Sequence, residues 1–150
     1  PMTNIVIVED VKNIREGLKT LIDASEGLNC IGTFENFELF EKSLDNLNPE
    51  IVLIDLKLPG ISGIEGIKKL NSYSNNFVII ILTIYEENEN IFEALSAGAS
   101  CYLVKNTPPL KMVQVIKDAA EGKVSMNSYI ARKVLKYFGD KKNLKNLDEK

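Results

Sequence analysis

Five short apolar runs recur along the first 122 residues, and an amphipathic segment follows each of them. The runs are residues 4–8, 28–34, 51–55, 77–82 and 100–104, and the segments are 11–22, 37–44, 64–72, 88–98 and 110–122. In the segments, apolar residues recur three and four positions apart, which is the spacing of a helix with one buried face. Continuous rather than alternating apolar runs are typical of parallel strands that are covered on both faces. The sequence therefore predicts an α/β fold with a doubly wound five-stranded parallel sheet.

Five βα units favour the flavodoxin-like strand order 2-1-3-4-5. In that order the two cysteines, Cys30 and Cys101, lie on opposite edge strands, which are four spacings of ~4.8 Å apart. A disulfide requires Cα atoms within ~7 Å of each other, so these two cysteines cannot pair. Both are predicted to be reduced residues of the core.

The pattern changes after residue 122. Residues 125–139 begin with serine and asparagine, place apolar residues four positions apart and end at a glycine. We therefore expect a domain over 2–122, a sixth helix acting as a linker over 123–139, and a polar, disordered tail over 140–150.

Charged and hydroxyl side chains stand where four of the predicted strands end. Glu9 and Asp10 follow the first strand, Asp55 ends the third, Thr83 follows the fourth and Lys105 follows the fifth. Ligands bind at this edge of a parallel sheet, near the point where the strand order reverses. The first and third strands are neighbours, so three carboxylates converge and repel one another unless a cation compensates. Mg²⁺ suits such a site because it needs few carboxylates and retains waters.

The same group of residues suits an anion bound at Asp55. Lys105 supplies a positive charge for phosphate and Thr83 a hydroxyl donor. A carboxylate that attacks phosphorus forms an aspartyl phosphate. Each residue alone has a plainer interpretation: Asp10 as a helix cap, Glu9 as a solvated acid, Asp55 as a turn residue, Thr83 as an ordinary strand end and Lys105 as a surface lysine. Their joint placement favours the site.

Composition excludes several classes of function. The chain has no histidine, which removes Ser-His-Asp and Cys-His nucleophiles, histidine metal sites and a phosphohistidine carrier role. A net charge of −3 argues against nucleic-acid binding by this segment itself. The longest apolar run, residues 77–82, is far shorter than the ~20 residues that span a bilayer. With no signal-peptide pattern at its beginning, the segment is expected in the cytoplasm, without membrane association.

Four stretches together resemble the receiver (CheY-like) domain of bacterial two-component response regulators. They are VEDVKNIREGL, IVLIDLKLPGISGIEGI, ILTIYEEN and ALSAGASCYLVKNTPP, and the resemblance covers residues 4–122. It implies that Asp55 is the phospho-acceptor. It also implies that Mg²⁺ is bound by Asp10, Asp55 and the backbone carbonyl of Lys57, with Glu9 reaching the ion through water.

The resemblance further assigns the residues that respond to phosphorylation. Thr83 and Lys105 match the hydroxyl and the lysine that contact the phosphoryl group, and Thr83 and Tyr102 match the switch residues. A histidine kinase would be the phosphoryl donor. The domain would not be an enzyme in the ordinary sense, because it would catalyse only its own phosphoryl transfer and slow autodephosphorylation.

The end of the chain narrows the resemblance to one group. The stretches KNTPPL and EGKVSMNSYIARKVL resemble the NarL/FixJ (LuxR-type) subfamily. In that group a helix-turn-helix DNA-binding domain follows the receiver, and residues 140–150 are too few to form one. The resemblance thus implies transcription regulation, DNA binding only through a domain absent from this chain, and a homodimer formed on phosphorylation.

Ile84 departs from the common receiver pattern, and three other functions stay as alternatives. Ile84 stands where many receivers have a small residue, and with Lys57 and Tyr85 nearby it predicts slow autodephosphorylation. A haloacid-dehalogenase-like phosphatase would need an acid in place of Lys57. A flavodoxin-like FMN carrier would need a Gly/Ser/Thr-rich loop in place of EDVKN. The third alternative is a degenerate receiver that acts as a phosphorylation-independent interaction module.

Overall fold

Strands and helices alternate in the part of the chain that the computed structural model describes, which is residues 1–73, 76–84, 90–123, 131–132 and 135–136. The strands are β1 (Thr3–Val8), β2 (Leu28–Phe34), β3 (Ile51–Asp55), β4 (Val78–Thr83) and β5 (Cys101–Val104). The helices are α1 (Lys12–Asp23), α2 (Phe37–Leu47), α3 (Gly63–Asn71), α4 (Asn90–Ala97) and α5 (Pro109–Ala120). All neighbouring strands pair in parallel, in the order β2-β1-β3-β4-β5. The predicted fold class and strand order are confirmed.

The sheet is buried on both faces, and successive residues of its central strands alternate between two apolar clusters. One cluster joins Val6, Val8, Val52, Ile54, Ile79 and Ile81 to residues of α2, α3 and α4 such as Phe37, Phe40, Ile67 and Ile91. The other joins Ile5, Ile7, Ile51, Leu53, Ile80 and Leu82 to residues of α1 and α5 such as Leu18, Ile22, Met112 and Ile116. Because both faces are covered, the buried parts of the central strands are almost wholly apolar. All five strands are parallel, so their carboxyl ends lie at one edge of the sheet.

The two cysteines are free and buried, as predicted. Cys30 lies on β2 and Cys101 on β5, at opposite edges of the sheet, and both side chains belong to the cluster under α1 and α5. Burial raises the pKa of both thiols, that of Cys101 to about 11. Neither thiol is therefore suited to nucleophilic chemistry at neutral pH.

Most differences from the predicted boundaries are shifts of one to three residues at the ends of elements. Helix α2 continues to Leu47 and ends at Asn48, whose φ of 50° is left-handed. Thr83 is the last residue of β4 rather than the residue after it. Of the linker helix predicted over 123–139, the structure describes residue 123, which is not helical, and residues 131–132 and 135–136, which are. The rest of that helix and the tail lie outside the described residues.

Among the described helices, none is both long enough and apolar enough to cross a bilayer.

Candidate functional site

The carboxyl ends of β3, β4 and β5 and the loop after β1 surround a cavity of about 220 Å³. It is lined by Asp10, Val11, Asp55, Leu56, Lys57, Leu82, Thr83, Ile84 and Lys105. Parallel strands end at the same edge of a sheet, so loops that are far apart in the sequence meet there. Five of the predicted site residues are part of this lining. Glu9 and Tyr102 are not, but the Glu9 carboxylate lies next to those of Asp10 and Asp55.

Asp55 is the last residue of β3 and is only 5% exposed. Its Oδ1 accepts a hydrogen bond of 3.1 Å from the backbone N–H of Lys57. Its Oδ2 accepts one of 3.0 Å from the ammonium group of Lys105, which follows β5. The first contact is the local bond of a turn residue, so that interpretation was right in part. The second contact joins residues from distant parts of the chain and points to a functional site.

Glu9 is fully buried, so its interpretation as a solvated acid is wrong. The Lys105 ammonium lies 2.5 Å from Glu9 Oε1, but the approach lacks hydrogen-bond geometry. Within the described part of the chain, Oε1 is therefore a buried oxygen without a hydrogen-bond partner. The other oxygen, Oε2, accepts a bond of 3.3 Å from the backbone N–H of Val11. An oxygen beside a cavity that is ion-paired but lacks a hydrogen bond is suited to a further cationic or water ligand.

Asp10 is exposed and does not cap the helix that follows it. The N-cap residue of α1 is Val11, and no side chain accepts a hydrogen bond from the beginning of that helix. The capping interpretation is therefore wrong. Carboxylate oxygens of Glu9, Asp10 and Asp55 lie within 4.8 Å of one another and could hold a metal ion. Hard carboxylate oxygens are the ligands that Mg²⁺ prefers, so the donor set fits this ion.

Glu9 and Asp55 share one ammonium group, with the Asp10 carboxylate close to both, and the pKa of Glu9 reflects that imbalance. Burial raises the pKa of Glu9 from 4.5 to about 7, with further raising by Asp55 and Asp10, against the opposing effect of Lys105. Burial tends to lower the pKa of Lys105, but Glu9 and Asp55 outweigh it and raise that pKa above 10.5. Lys105 therefore stays charged, while the site holds more negative charge than one lysine can offset.

Thr83 and Tyr102 lie on the two strands at the β5 edge. Thr83 is buried at the end of β4 and lines the cavity, and its carbonyl accepts a bond of 2.8 Å from the backbone N–H of Lys105. That bond holds the end of β4 beside the loop after β5. Tyr102 pairs with Ile81 in the sheet and is half-buried against the cluster under α2, α3 and α4. The structure thus places Thr83 at the cavity and Tyr102 beside it on the neighbouring strand.

Comparison with known proteins identifies the family of this chain. The sequence model described as the response regulator receiver domain matches residues 5–117. The chain belongs to this family. The match covers all five strands except the first two residues of β1, and it includes every predicted site residue. Membership supports a phosphorylation-activated signalling role, and the family is one of signalling proteins rather than classical enzymes.

The relatives of this receiver domain are transcriptional regulators of the NarL/LuxR type. The transcriptional regulatory proteins YdfI and LnrK of Bacillus subtilis (strain 168) are 35% and 33% identical to it over 133 and 149 residues. These alignments cover 89% and 99% of this chain but only 62% and 67% of the relatives. A LuxR-family response regulator from Aurantimonas sp. SI85-9A1 is 28% identical, with a TM-score of 0.80 over 91% of this chain and 98% of that one.

Two charged residues that sequence reasoning missed hold the loops of the receiver site. The Arg15 guanidinium, on α1, donates to the carbonyl oxygens of Glu9 and Asp10 at 2.8 and 3.3 Å. Glu38, in the first turn of α2, accepts a bond of 3.1 Å from the backbone N–H of Ile61, in the loop after Asp55. Neither residue has a signal of its own in the sequence, because each acts on a loop through the fold.

Gly63, the third residue that the sequence analysis missed, packs directly against the backbone of Asp55. It is the first residue of α3, and its N–H donates to the carbonyl of Leu56 at 3.0 Å. A Cβ atom at this position would collide with the Asp55 carbonyl oxygen and would lie 2.7 Å from Leu56 Cα. The available signal was a glycine directly before the helix predicted over 64–72, since glycine allows two backbones to approach closely.

Replacing Glu9 with glutamine is expected to remove a pH dependence of the stability of the metal-free domain. Its pKa is raised in the folded state, so the contribution of Glu9 to stability is greatest below pH 4.5 and falls as pH rises to about 7. A shift of this size corresponds to about 3 kcal/mol of unfolding free energy. Urea unfolding in a chelator at about pH 5 and about pH 8 measures the difference. The exposed Glu16→Gln should keep the wild-type dependence, and a Glu9→Gln variant that also keeps it would contradict the expectation.

Proposed function

We propose that this receiver domain accepts a phosphoryl group on Asp55 and acts as a phosphorylation-activated switch. The observation that carries the proposal is the burial of the Asp55 carboxylate at the cavity, 3.0 Å from the Lys105 ammonium and beside two further acids. An Asp55 oxygen attacks the phosphorus of a phosphohistidine on a partner kinase. The P–N bond breaks as the O–P bond forms, and the histidine nitrogen leaves with the bonding electrons and takes up a proton.

The residues present fit a bound Mg²⁺. The ion would be held by Asp10, Asp55 and the backbone carbonyl of Lys57, and Glu9 would reach it through water. Two observations support this: the donor set consists of oxygens, and Glu9 Oε1 lacks a hydrogen-bond partner. When bound, Mg²⁺ neutralises carboxylate and phosphoryl oxygens. Lys105 supplies the positive charge of the protein itself. Its ammonium group, held between Glu9 and Asp55, offsets the negative charge of the incoming phosphoryl oxygens.

The response to phosphorylation passes from Thr83 to Tyr102. The Thr83 hydroxyl moves toward the phosphoryl group, and Tyr102 rotates into the space that this movement opens. The positions of both residues support this step: Thr83 lines the cavity, and Tyr102 is half-buried on the next strand. The face formed by α4, β5 and α5 then changes. Such a response shifts the population of two existing conformations rather than creating a new fold.

The wider role is that of the receiver half of a transcription regulator. A receiver over 2–122, a linker helix over 123–139 and a tail over 140–150 would lead to a helix-turn-helix domain that binds DNA. Two observations support this arrangement: YdfI and LnrK are named transcriptional regulatory proteins, and both are longer than the aligned region. A histidine kinase would be the phosphoryl donor, and phosphorylation would favour a homodimer.

The test is incubation with Mg²⁺ and acetyl phosphate, followed by intact mass measurement. Wild type is expected to gain one phosphoryl group, and Asp55→Asn none, because an amide cannot act as the nucleophile. The matched control is Asp45→Asn, which alters an exposed aspartate on α2 and should be phosphorylated as wild type. Absence of any gain in wild type would instead favour the degenerate receiver that acts as an interaction module.

Once formed, phospho-Asp55 is expected to hydrolyse slowly, and Ile84→Ala is expected to speed that hydrolysis. Ile84 lines the cavity with 56% of its surface exposed, so its side chain stands in the path of an attacking water. Lys57 also lines the cavity, whereas Tyr85 lies outside the described residues. Opening this path should raise the rate about tenfold, since attack depends on close alignment of the water.

Loss of the phosphoryl mass with time, after removal of the donor, measures this rate in both proteins. Leu39→Ala, which truncates an exposed leucine on α2 away from the cavity, is the control and should not alter it. A wild-type half-life of seconds, or equal rates in wild type and Ile84→Ala, would contradict the expectation.

A further inference from the structure

We infer that Arg15 is a positioning residue for the Mg²⁺ site, an inference that rests on the proposed function. The acids Glu9 and Asp10 lie in the short loop between β1 and α1, whose last residue is Val11. Helix α1 has no side-chain cap and no acidic residue in its first turn. Two bonds hold Glu9: its N–H donates to the Phe34 carbonyl at 2.9 Å, and its Oε2 accepts from the Val11 N–H at 3.3 Å. Neither bond reaches the Asp10 carbonyl, so a further restraint is needed to hold the Asp10 backbone beside the cavity.

The guanidinium of Arg15 provides that restraint. Its Nη1 donates to the carbonyl oxygens of Glu9 at 2.8 Å and of Asp10 at 3.3 Å. Because peptide units are planar, these bonds fix the two peptide planes on either side of the Asp10 Cα atom. With both planes fixed, the only freedom left to Asp10 is that of its side-chain torsions. The orientation of this exposed carboxylate toward the cavity therefore depends on Arg15.

Because the partners of Arg15 are backbone carbonyl oxygens, the bonds also affect the charge balance of the site. In the described part of the chain, none of the ion pairs between the lysines and the acids includes Arg15. Arg15 therefore does not compete with a cation for the carboxylates of the site. It fixes their backbone instead and adds a positive charge beside the loop. A lysine would provide the charge but not the planar set of donors.

The variant that tests this inference is Arg15→Met, which keeps most of the aliphatic stem and removes the donors. Loss of such supporting bonds around a metal site is expected to weaken Mg²⁺ binding about tenfold. The rate of phosphorylation by acetyl phosphate at saturating Mg²⁺ should stay within about twofold of wild type, because Arg15 does not touch the reacting atoms. The Mg²⁺ affinity of Arg15→Lys should lie between those of wild type and Arg15→Met. Lys12→Met removes an equal charge from the exposed beginning of α1 and should bind Mg²⁺ as wild type.

Calorimetric titration with MgCl₂ and the rate at saturating Mg²⁺ separate the possible outcomes. If Arg15 had only a structural role, Arg15→Met would have a lower melting temperature but an unchanged Mg²⁺ affinity at temperatures where it is folded. That result would overturn the inference. Equal affinities of Arg15→Met and Lys12→Met would also overturn it. If Arg15→Met does not fold, the affinity of Arg15→Lys decides: weaker binding supports the inference, and wild-type binding overturns it. Failure of wild type itself to bind Mg²⁺ would instead contradict the proposed function.

Discussion

Replacing Lys105 with methionine is expected to slow phosphorylation of Asp55 by about 100- to 1,000-fold, the usual effect of removing one charge-stabilising donor from an active site. Lys105 lies 3.0 Å from the Asp55 carboxylate and is largely buried, with its side chain 12% exposed. Because little solvent reaches this site, water cannot take the place of the ammonium group in stabilising the negative charge on the phosphoryl oxygens during the transfer. Methionine retains a similar length and apolar stem, so the loss reports on charge rather than on packing.

The same substitution is expected to destabilise the metal-free domain. Lys105 is the cation that faces the buried carboxylates of Glu9 and Asp55, and removing one partner of such a group costs about 3–5 kcal/mol. Without the lysine the pKa of Glu9 rises further, because Lys105 is the group that opposes its elevation. A protonated Glu9 needs no counter-charge, so the loss of stability should be smaller at about pH 6 than at about pH 8.

Two measurements on the same variant check these expectations. Intact mass against time gives the rate with acetyl phosphate, at a temperature where circular dichroism shows Lys105→Met to be folded. Urea unfolding at both pH values gives the stability. The control Lys111→Met removes one exposed charge from α5 and should match wild type in both experiments. A Lys105→Met variant that is phosphorylated at the wild-type rate would show that the ammonium group plays no part in the transfer.

The positions of the site residues could be predicted because each one stands next to an apolar run. Asp55, Thr83 and Lys105 end or follow strands whose order the βα pattern determines, so their meeting at one edge follows from topology. The sequence did not reveal side-chain direction. Glu9 and Asp10 are adjacent and chemically similar, yet the first is fully buried and the second is exposed. Successive residues at the end of a strand point in opposite directions, and only the register of β1 decides which one faces inward.

Contacts between different βα units could not be predicted from the sequence for a related reason. Glu38 begins the helix of the second unit and bonds the backbone of Ile61 in the third. The periodicity that predicted these helices says how far each extends and which face is buried. It does not say how the beginning of one helix is placed against the loop of another unit. Nothing in that periodicity distinguishes Arg15 or Glu38 from other charged residues of a helix, although both hold loops of the site.

Replacing Gly63 with alanine is expected to reduce both stability and phosphorylation, although alanine is the better helix former. The gain in helix propensity is about 1 kcal/mol. Against it stands a collision of the new Cβ with the Asp55 carbonyl oxygen and with Leu56 Cα, both of which are backbone atoms that cannot rotate away. Overpacking of this kind costs about 3 kcal/mol, so a net loss of about 2 kcal/mol is expected.

The effect on phosphorylation follows from which strand would have to move. Asp55 pairs with Leu82 of β4 while Ile54 pairs with Val8 of β1, so β3 is fixed on both sides. Helix α3 must therefore shift away, and with it the loop that includes Lys57. A displacement of about 1 Å in a reacting group costs about 100-fold in rate, and Asp55 receives a hydrogen bond from that loop. A loss of rate of this order is expected at saturating Mg²⁺.

Gly17→Ala makes the same chemical change in α1 and is the matched control. A Cβ atom at Gly17 would meet nothing within 4 Å, so only the helix propensity changes and a gain of about 0.5–1 kcal/mol is expected. Urea unfolding should thus shift in opposite directions in the two variants, and only Gly63→Ala should be phosphorylated more slowly. If Gly63→Ala were as stable as Gly17→Ala and reacted at the wild-type rate, the close packing of α3 on Asp55 would not be what positions the phosphorylated residue.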